Sequence, residues 1–285
     1  MIMDKNRSVV IENIKSCIQN KEFNKKTEVS DPILTKEQEK QITSGFMAKR
    51  KTLSYKIKRA VALSIAKPAA RIINRDTKII GIEKIPQNMG GVIITSNHFS
   101  PLENTVIRHL TNKLKRRDLA IISQTSNFAM KGFLGFIMNY ADTIPISIEP
   151  RYLATSFLSV LKEKLVEKKQ AVLLYPEQEL WFNYRKPRPP KDGAYFYAAK
   201  LNVPVISCFV EIVDTERREN SEFKKVKYIL HVLGVIYPDK EISPRENTAV
   251  MSQKDYLLKK ECYERVYGKK LIYDFQNSDI AGWVK

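Results

Sequence analysis

Apolar residues along this chain take two alternating textures: short continuous runs, and longer stretches in which they recur every three or four positions. A strand buried on both faces reads as an unbroken apolar run. The runs therefore predict strands over 78–82, 91–96, 119–123, 143–147, 171–175, 203–210 and 226–236. The helical spacing predicts helices over 101–114, 128–140, 153–168, 194–201 and 253–267. Alternation of the two signals βα units, and so an α/β fold: a mostly parallel mixed sheet flanked by helices. In such sheets chemistry collects beyond the carboxyl ends of strands, which directs attention to the loops after Ser96, Ser147 and Tyr175.

Upstream of the first strand the pattern changes. Residues 1–52 are polar and Lys-rich, with one short helical pattern (Val9, Val10, Ile14, Ile18) and a break at Asp31-Pro32. They read as a mobile or loosely docked extension. From Leu53 the segment LSYKIKRAVALSIAKPAARIINR places apolar residues at helical spacing and fills the rest with Lys and Arg. That is a basic amphipathic helix over 53–75, bent at Pro68. It packs on the domain as a surface helix or touches a membrane, and the two roles are compatible. A central domain over 76–240 and a C-terminal helical segment over 241–285 complete the division.

Composition narrows the partners. With 43% hydrophobic residues in 285, the chain has enough apolar material for a packed core. The 49 Lys+Arg against 31 Asp+Glu give a formal charge of +18, a field that concentrates nucleic acid, an anionic bilayer or phosphorylated substrates. Cys17, Cys208 and Cys262 are far apart and suggest neither a disulfide framework nor a zinc site, in keeping with a reducing cytoplasmic setting. The N-terminus lacks the apolar stretch of a signal peptide, and no run approaches the roughly 18–20 apolar residues that span a bilayer, so membrane contact is expected to be peripheral or shallow.

Three segments carry candidate chemistry. The loop Thr95-Ser96-Asn97-His98-Phe99-Ser100-Pro101-Leu102-Glu103 brings an imidazole out of a buried strand into a turn. Glu103 either orients that imidazole, fixing its tautomer, or completes a Ser100-x-x-Glu103 capping box with Pro101 in the first helical position; one residue can do both. The second segment runs from Tyr175-Pro176-Glu177 through Trp181-Phe182-Asn183-Tyr184 to Arg185, Lys186, Arg188 and Lys191, four cations within seven positions among prolines. It suits phosphate recognition, a solvated basic loop, or a nucleic-acid patch in which the aromatics stack on bases. The third, Lys131–Ile137 followed by 142–146, is apolar and glycine-punctuated, and reads as a core helix and strand or as the lining of an acyl-chain channel. His109 and His231 lie in helix and strand patterns without ligand-spaced neighbours and read as structural. No H-E-x-x-H, glycine-rich phosphate loop, G-x-S-x-G or dinucleotide fingerprint occurs.

In this order the blocks resemble the glycerolipid acyltransferase family, which includes the lysophosphatidate acyltransferases, over about Gly81 to Val210. The family's Asn-His-x-x-x-x-Asp stands as Asn97-His98-Phe99-Ser100-Pro101-Leu102-Glu103. Its Phe-Pro-Glu-Gly-Thr-Arg stands as Tyr175-Pro176-Glu177, with Lys191-Asp192-Gly193-Ala194 for Lys-x-Gly-Ala, and its Val-Pro-Val-Ile-Pro as Val203-Pro204-Val205-Ile206-Ser207. Three departures stand out. Glu103 replaces aspartate, and Gln178-Glu179-Leu180 replaces Gly-Thr-Arg. The arginine expected after the Ile-Pro-Ile strand is also missing, with Ile148 near its place and Arg151 the nearest cation.

The resemblance implies a glycerol-3-phosphate acyltransferase-like fold, with 76–240 as the acyltransferase domain. It also implies transfer of a fatty acyl group from acyl-CoA or acyl carrier protein to a hydroxyl of lysophosphatidate or a related lysophospholipid. His98 would be the general base and Glu103 its orienting acid. Glu177 would hold an acceptor hydroxyl or a neighbouring cation, Arg185, Lys186 and Lys191 would bind phosphate, and Asn97, Ser100 and Gly193 would line the acceptor site. No metal and no cofactor beyond the thioester co-substrate is called for. The expected partners are the acyl donor, the acceptor and an anionic membrane surface, with no nucleic acid, and the expected place is the cytoplasmic face of the membrane, peripheral or monotopic. A non-catalytic membrane- or lipid-binding protein on the same fold is the first rival reading, and a nucleic-acid-binding protein driven by the basic charge is the second.

Overall fold

The seven apolar runs pair into one sheet. The structure, a computed structural model, describes residues 6–29, 31–115 and 118–284; residues 1–5 of the expected extension lie outside it. The strands are β1 (Lys78–Ile80), β2 (Val92–Thr95), β3 (Leu119–Gln124), β4 (Thr143–Ile146), β5 (Ala171–Leu174), β6 (Val205–Arg218) and β7 (Lys224–Ile236), in the order β1-β7-β6-β2-β5-β3-β4. Five neighbouring strands from β6 to β4 run parallel, while β7 is antiparallel to β6 and β1 parallel to β7. A tight turn is enough for the antiparallel β6–β7 pair, whereas parallel neighbours need crossovers. Both long strands outrun their expected ends. Beyond Val210 the ribbon alternates charged with half-buried positions, and that pattern does not read as an apolar run.

Successive side chains leave a strand on opposite faces, so each strand feeds two cores. Val92, Ile94, Leu119, Ile121, Ala171 and Leu173 pack against Val106, Ile107 and Leu110 of the helix Asn104–Lys113. Ile93, Ala120, Ile122, Val172 and Leu174 pack on the other side. Their partners there are Phe157, Val160 and Leu161 of the helical run 150–167, Ala194 and Tyr195 of the helix Gly193–Leu201, and Met251 of the C-terminal helix Pro244–Tyr267. With three strands on each flank, β2 is central and its carboxyl end opens in the middle of the sheet edge. The C-terminal helix starts nine residues before its expected position, behind a capping box of Ser243 and Glu246 with Pro244 in its first turn.

The remaining helices are α1 (Arg7–Gln19), α2 (Lys36–Lys49), α3 (Leu53–Ile73), α4 (Asn104–Lys113), α5 (Thr125–Phe128) and α6 (Gly132–Tyr140). The helix expected over 128–140 is interrupted, α6 starting at Gly132 with φ +67°. The N-terminal extension is docked, which corrects the expectation of a loose one. Ile11 and Ile14 are fully buried against Trp181, Tyr184, Phe223 and Ile280 in a third core. The same packing buries the faces of Trp181, Phe182 and Tyr184, so they have no surface to offer a base. Helix α3 buries Tyr55, Ala62, Leu63 and Ala70 but leaves Leu53, Ile57, Val61, Ile65 and Ile72 outside, beside exposed Lys56, Lys58 and Arg71. The expected helix and strand are both present, as α6 and the buried β4, but Phe136, Ile137 and Tyr140 of α6 pack on α3 and Phe133 is 65% exposed, so the helix lies in an outer layer and not in the core. Among the described residues no helix is long and apolar enough to cross a membrane.

Candidate active site

At the end of β2 the Asn97 side chain takes over from the strand ladder. Its Nδ2 donates to the Val210 carbonyl (3.0 Å) and its Oδ1 accepts from the Val210 N–H (2.8 Å), while the side chain is almost wholly buried. Asn97 is therefore a clamp between β2 and β6, and no longer a candidate for touching substrate. The clamp fixes the point at which the chain leaves the sheet, and the next residue is His98.

The His98 imidazole Nδ1 meets Oε1 of Glu103. The other oxygen of Glu103 accepts from the N–H groups of Phe99 (2.5 Å) and Ser100 (2.9 Å). An ionised carboxylate only accepts, so this network assigns the proton to Nδ1 and leaves the Nε2 lone pair free. Nε2 makes no hydrogen bond among the described residues, and the side chain is 20% exposed. One face of the ring lies on Tyr175, with centroids 4.1 Å apart and planes within 8°. Burial and the Glu103 carboxylate push the Tyr175 hydroxyl well above its ordinary range, so this stacking partner stays neutral. Both readings of Glu103 are met in part. It closes the turn by accepting from Ser100, whose Oγ accepts from Leu102 N–H, but helix α4 starts at Asn104, after the turn, and not at Pro101.

Glu177 is a strut beneath the histidine. Its Oε2 accepts from the His98 N–H (3.1 Å) and from Arg188 Nε (3.1 Å), and its Oε1 accepts from the Arg188 N–H (3.0 Å). Of the two roles expected for it, the structure shows the neighbouring cation, and its oxygens have little capacity left for an acceptor hydroxyl. The cation is Arg188, whose guanidinium is buried 4.4 Å above the Trp181 ring and donates to the carbonyls of Phe23 (2.8 Å), His98 (3.3 Å) and Glu179. Sequence reasoning grouped Arg188 with its neighbours because four cations in seven positions look alike; which one turns inward is decided by the distant carbonyls that receive it.

The other expected cations lie elsewhere. Arg185 pairs with Asp214 (2.5 Å) and covers Tyr267, and Lys186 is buried between Asp279 (2.7 Å) and the Asp274 carbonyl (2.6 Å). Each is spent on a partner on the β6 and C-terminal side, which removes both from the phosphate role. Lys191 is exposed, and its N–H donates to the Pro176 carbonyl (2.8 Å), which ties its backbone to the loop that carries Glu177. Gly193 is exposed at the start of its helix, with open space where a Cβ would stand. Ser100 contributes its N–H to the histidine turn.

The expected structural histidines differ from His98. His231 bonds Glu211 across β6 and β7 (2.7 Å), and burial lowers His109 below its ordinary range. Among the described residues no group of three His, Cys, Asp or Glu side chains is placed to hold a metal.

Comparison with known proteins follows the same outline. Residues 76–211 match a family described as Acyltransferase. No curated protein matches the chain. Among solved structures, the 1-acyl-sn-glycerophosphate (LPA) acyltransferase PlsC from Thermotoga maritima superposes with a TM-score of 0.52 at 19% identity, covering 81% of this chain and 92% of that one. At that identity the likeness is one of fold.

Proposed function

We propose, from the match of residues 76–211 to the Acyltransferase family, that this chain is a glycerolipid acyltransferase that moves a fatty acyl group from an acyl thioester to a hydroxyl of a lysophosphatidate-like acceptor. The observation that carries the mechanism is the free Nε2 of His98, its ring steadied by Glu103 on one nitrogen and Tyr175 on one face. Nε2 takes the proton of the acceptor hydroxyl as that oxygen attacks the thioester carbonyl carbon. The carbon–sulfur bond then breaks, and the departing thiolate receives the proton from Nε2. Glu103 remains ionised throughout and stabilises the imidazolium between the two transfers. A base so positioned contributes about 10²- to 10⁴-fold. The donor is acyl-CoA or acyl carrier protein, and Lys191 is the exposed cation best placed for an acceptor phosphate.

Membrane contact belongs to the same proposal. The exposed apolar stripe of α3, with Phe133 of α6 and the lysines between, offers a bilayer both apolar side chains and positive charge. Each Lys or Arg near an anionic surface adds about 1 kcal/mol. This supports a peripheral or monotopic place on the cytoplasmic face.

The test is release of free thiol from acyl-CoA with lysophosphatidate as acceptor. Wild type turns over and folded His98→Ala loses at least about 10²-fold; a variant that keeps most of the rate removes His98 from the chemistry.

A further inference from the structure

The carboxylate that steers His98 rides on a turn, and that turn is moored to a residue outside the matched domain. Asn74 is the residue at which α3 ends, and its side chain is fully buried. Its Nδ2 donates to the Ala70 carbonyl (2.9 Å) and to the Thr105 hydroxyl (2.8 Å), while its Oδ1 accepts from the Thr77 hydroxyl (3.0 Å). Both amide protons and the amide oxygen are thereby engaged, so one orientation of the side chain satisfies all its partners. Asn74 and Ala70 precede residues 76–211, the span of the family match, whereas Thr105 lies in the first turn of α4 within it.

From Thr105 the link runs to the acid. The Thr105 hydroxyl has a single proton, which it gives to the Leu102 carbonyl (2.6 Å), so it meets the Asn74 amide as an acceptor. A hydroxyl that accepts one hydrogen bond donates the next more strongly, and the two bonds reinforce each other. The Leu102 carbonyl also accepts the Thr105 N–H (3.0 Å), and it belongs to the peptide unit whose N–H is that of Glu103, itself bonded to the Ser100 carbonyl (3.2 Å). That planar unit is held at both ends, and with it the point from which the Glu103 side chain departs. Glu103 must then reach Nδ1 of His98 with one oxygen and the N–H groups of Phe99 and Ser100 with the other. A carboxylate with three such contacts tolerates little tilt of its backbone.

Resting on the acyl-transfer reading above, we propose that Asn74 is a positioning residue for the reaction: through Thr105 it fixes the turn that aims Glu103 at the imidazole. The end of α3 is then part of the catalytic apparatus, and the helix that presents the exposed apolar stripe also steadies the acid.

The experiment uses the full chain. Thr105→Val keeps the shape of the side chain and removes the link, Thr105→Ser keeps the hydroxyl, and Asn74→Ala removes the anchor. Asn247→Ala is the comparison, because that buried asparagine also makes three hydrogen bonds, all to Asp239 and Ile242 just before the C-terminal helix. In thiol release from acyl-CoA with lysophosphatidate, kcat should fall about tenfold or more in Thr105→Val and Asn74→Ala with the KM of both substrates unchanged. Thr105→Ser should recover most of that loss. Asn247→Ala should lower the melting temperature as Asn74→Ala does and keep the wild-type kcat. In parallel, nitrogen NMR of the histidine rings, practicable with three histidines, reads the His98 tautomer. Wild type should hold the proton on Nδ1, and Thr105→Val and Asn74→Ala should raise the share on Nε2, because a tilted Glu103 no longer fixes the choice. An unchanged kcat or an unchanged tautomer in folded Thr105→Val overturns the proposal, and so does an equal loss of kcat in Asn247→Ala. Wild-type protein that releases no thiol would sink the acyl-transfer reading instead, and the tautomer would still decide whether Asn74 aligns Glu103.

Discussion

Glu103 commits both oxygens to its own loop, one to the imidazole and one to two backbone N–H groups. Glu103→Gln keeps the size but can present an amide N–H to Nδ1, which favours the wrong tautomer; kcat should fall about 10²-fold or more with little change in the acceptor KM. Asn97 is the contrasting case. Asn97→Ala leaves the buried N–H and carbonyl of Val210 without partners, at about 1–3 kcal/mol each, so the loss should be seen in the melting temperature. Glu28 adds a pH dependence. Burial and the neighbouring Asp31 push its carboxyl up to about 7 from the ordinary 4.5, so the native state holds the extra proton between those values. Stability therefore falls as pH rises through that window, and Glu28→Gln should equal wild type near pH 4 and melt higher than wild type above pH 7. At this scale the sequence was legible only where a motif fixed the answer. His98 and Glu103 meet as expected, but the motif that points Asn97 at the substrate, and the charge that points Arg185 and Lys186 there, do not say that Val210, Asp214 and Asp279 wait for them.

At the scale of elements the legible part is larger, and its limits have physical causes. All seven strands stand where apolar runs predicted them, because burial on both faces leaves an unmistakable record in composition. The exposed ends of β6 and β7 left none, and α1 was undervalued because its apolar stripe is short and its covering aromatics lie in a loop more than 160 residues away. That packing can be tested: Ile14→Ala should destabilise the fold by about 2–5 kcal/mol by opening the third core, a loss readable in urea unfolding. The junction of α2 and α3 offers a second test. Burial alone would raise the Glu163 carboxyl, but hydrogen bonds from Lys168 (2.5 Å) and Arg50 (2.5 Å) carry it down to about 2. A depressed carboxylate stabilises above its unfolded pKa near 4.5 and loses that contribution as pH falls toward 2. Solvent screens this half-exposed pair, so Arg50→Ala should cost at most about 1 kcal/mol at pH 7 and progressively less below pH 4.

For the molecule as a whole the charge of +18 meets a surface on which α3 leaves a row of apolar residues exposed and α6 adds Phe133. Flotation with vesicles of anionic lipid should recover the protein, neutral vesicles should recover less, and raised salt should weaken the binding through screening. Ile57→Glu with Val61→Glu should reduce recovery severalfold without changing the sheet, since both side chains are already exposed. Unchanged recovery would place any membrane contact elsewhere.

The loop 181–188 is held from both directions along the chain. Trp181 bonds a carbonyl at residue 25, while Asn183, Arg185 and Lys186 bond residues 281 and 279. During synthesis the sheet strands emerge before residue 279 does, so a nascent chain acquires its scaffold while the loop still lacks half its moorings. The loop should therefore settle late, once residues 279–281 are free to lock it under the histidine, and a chain stalled before them would have the sheet without that support.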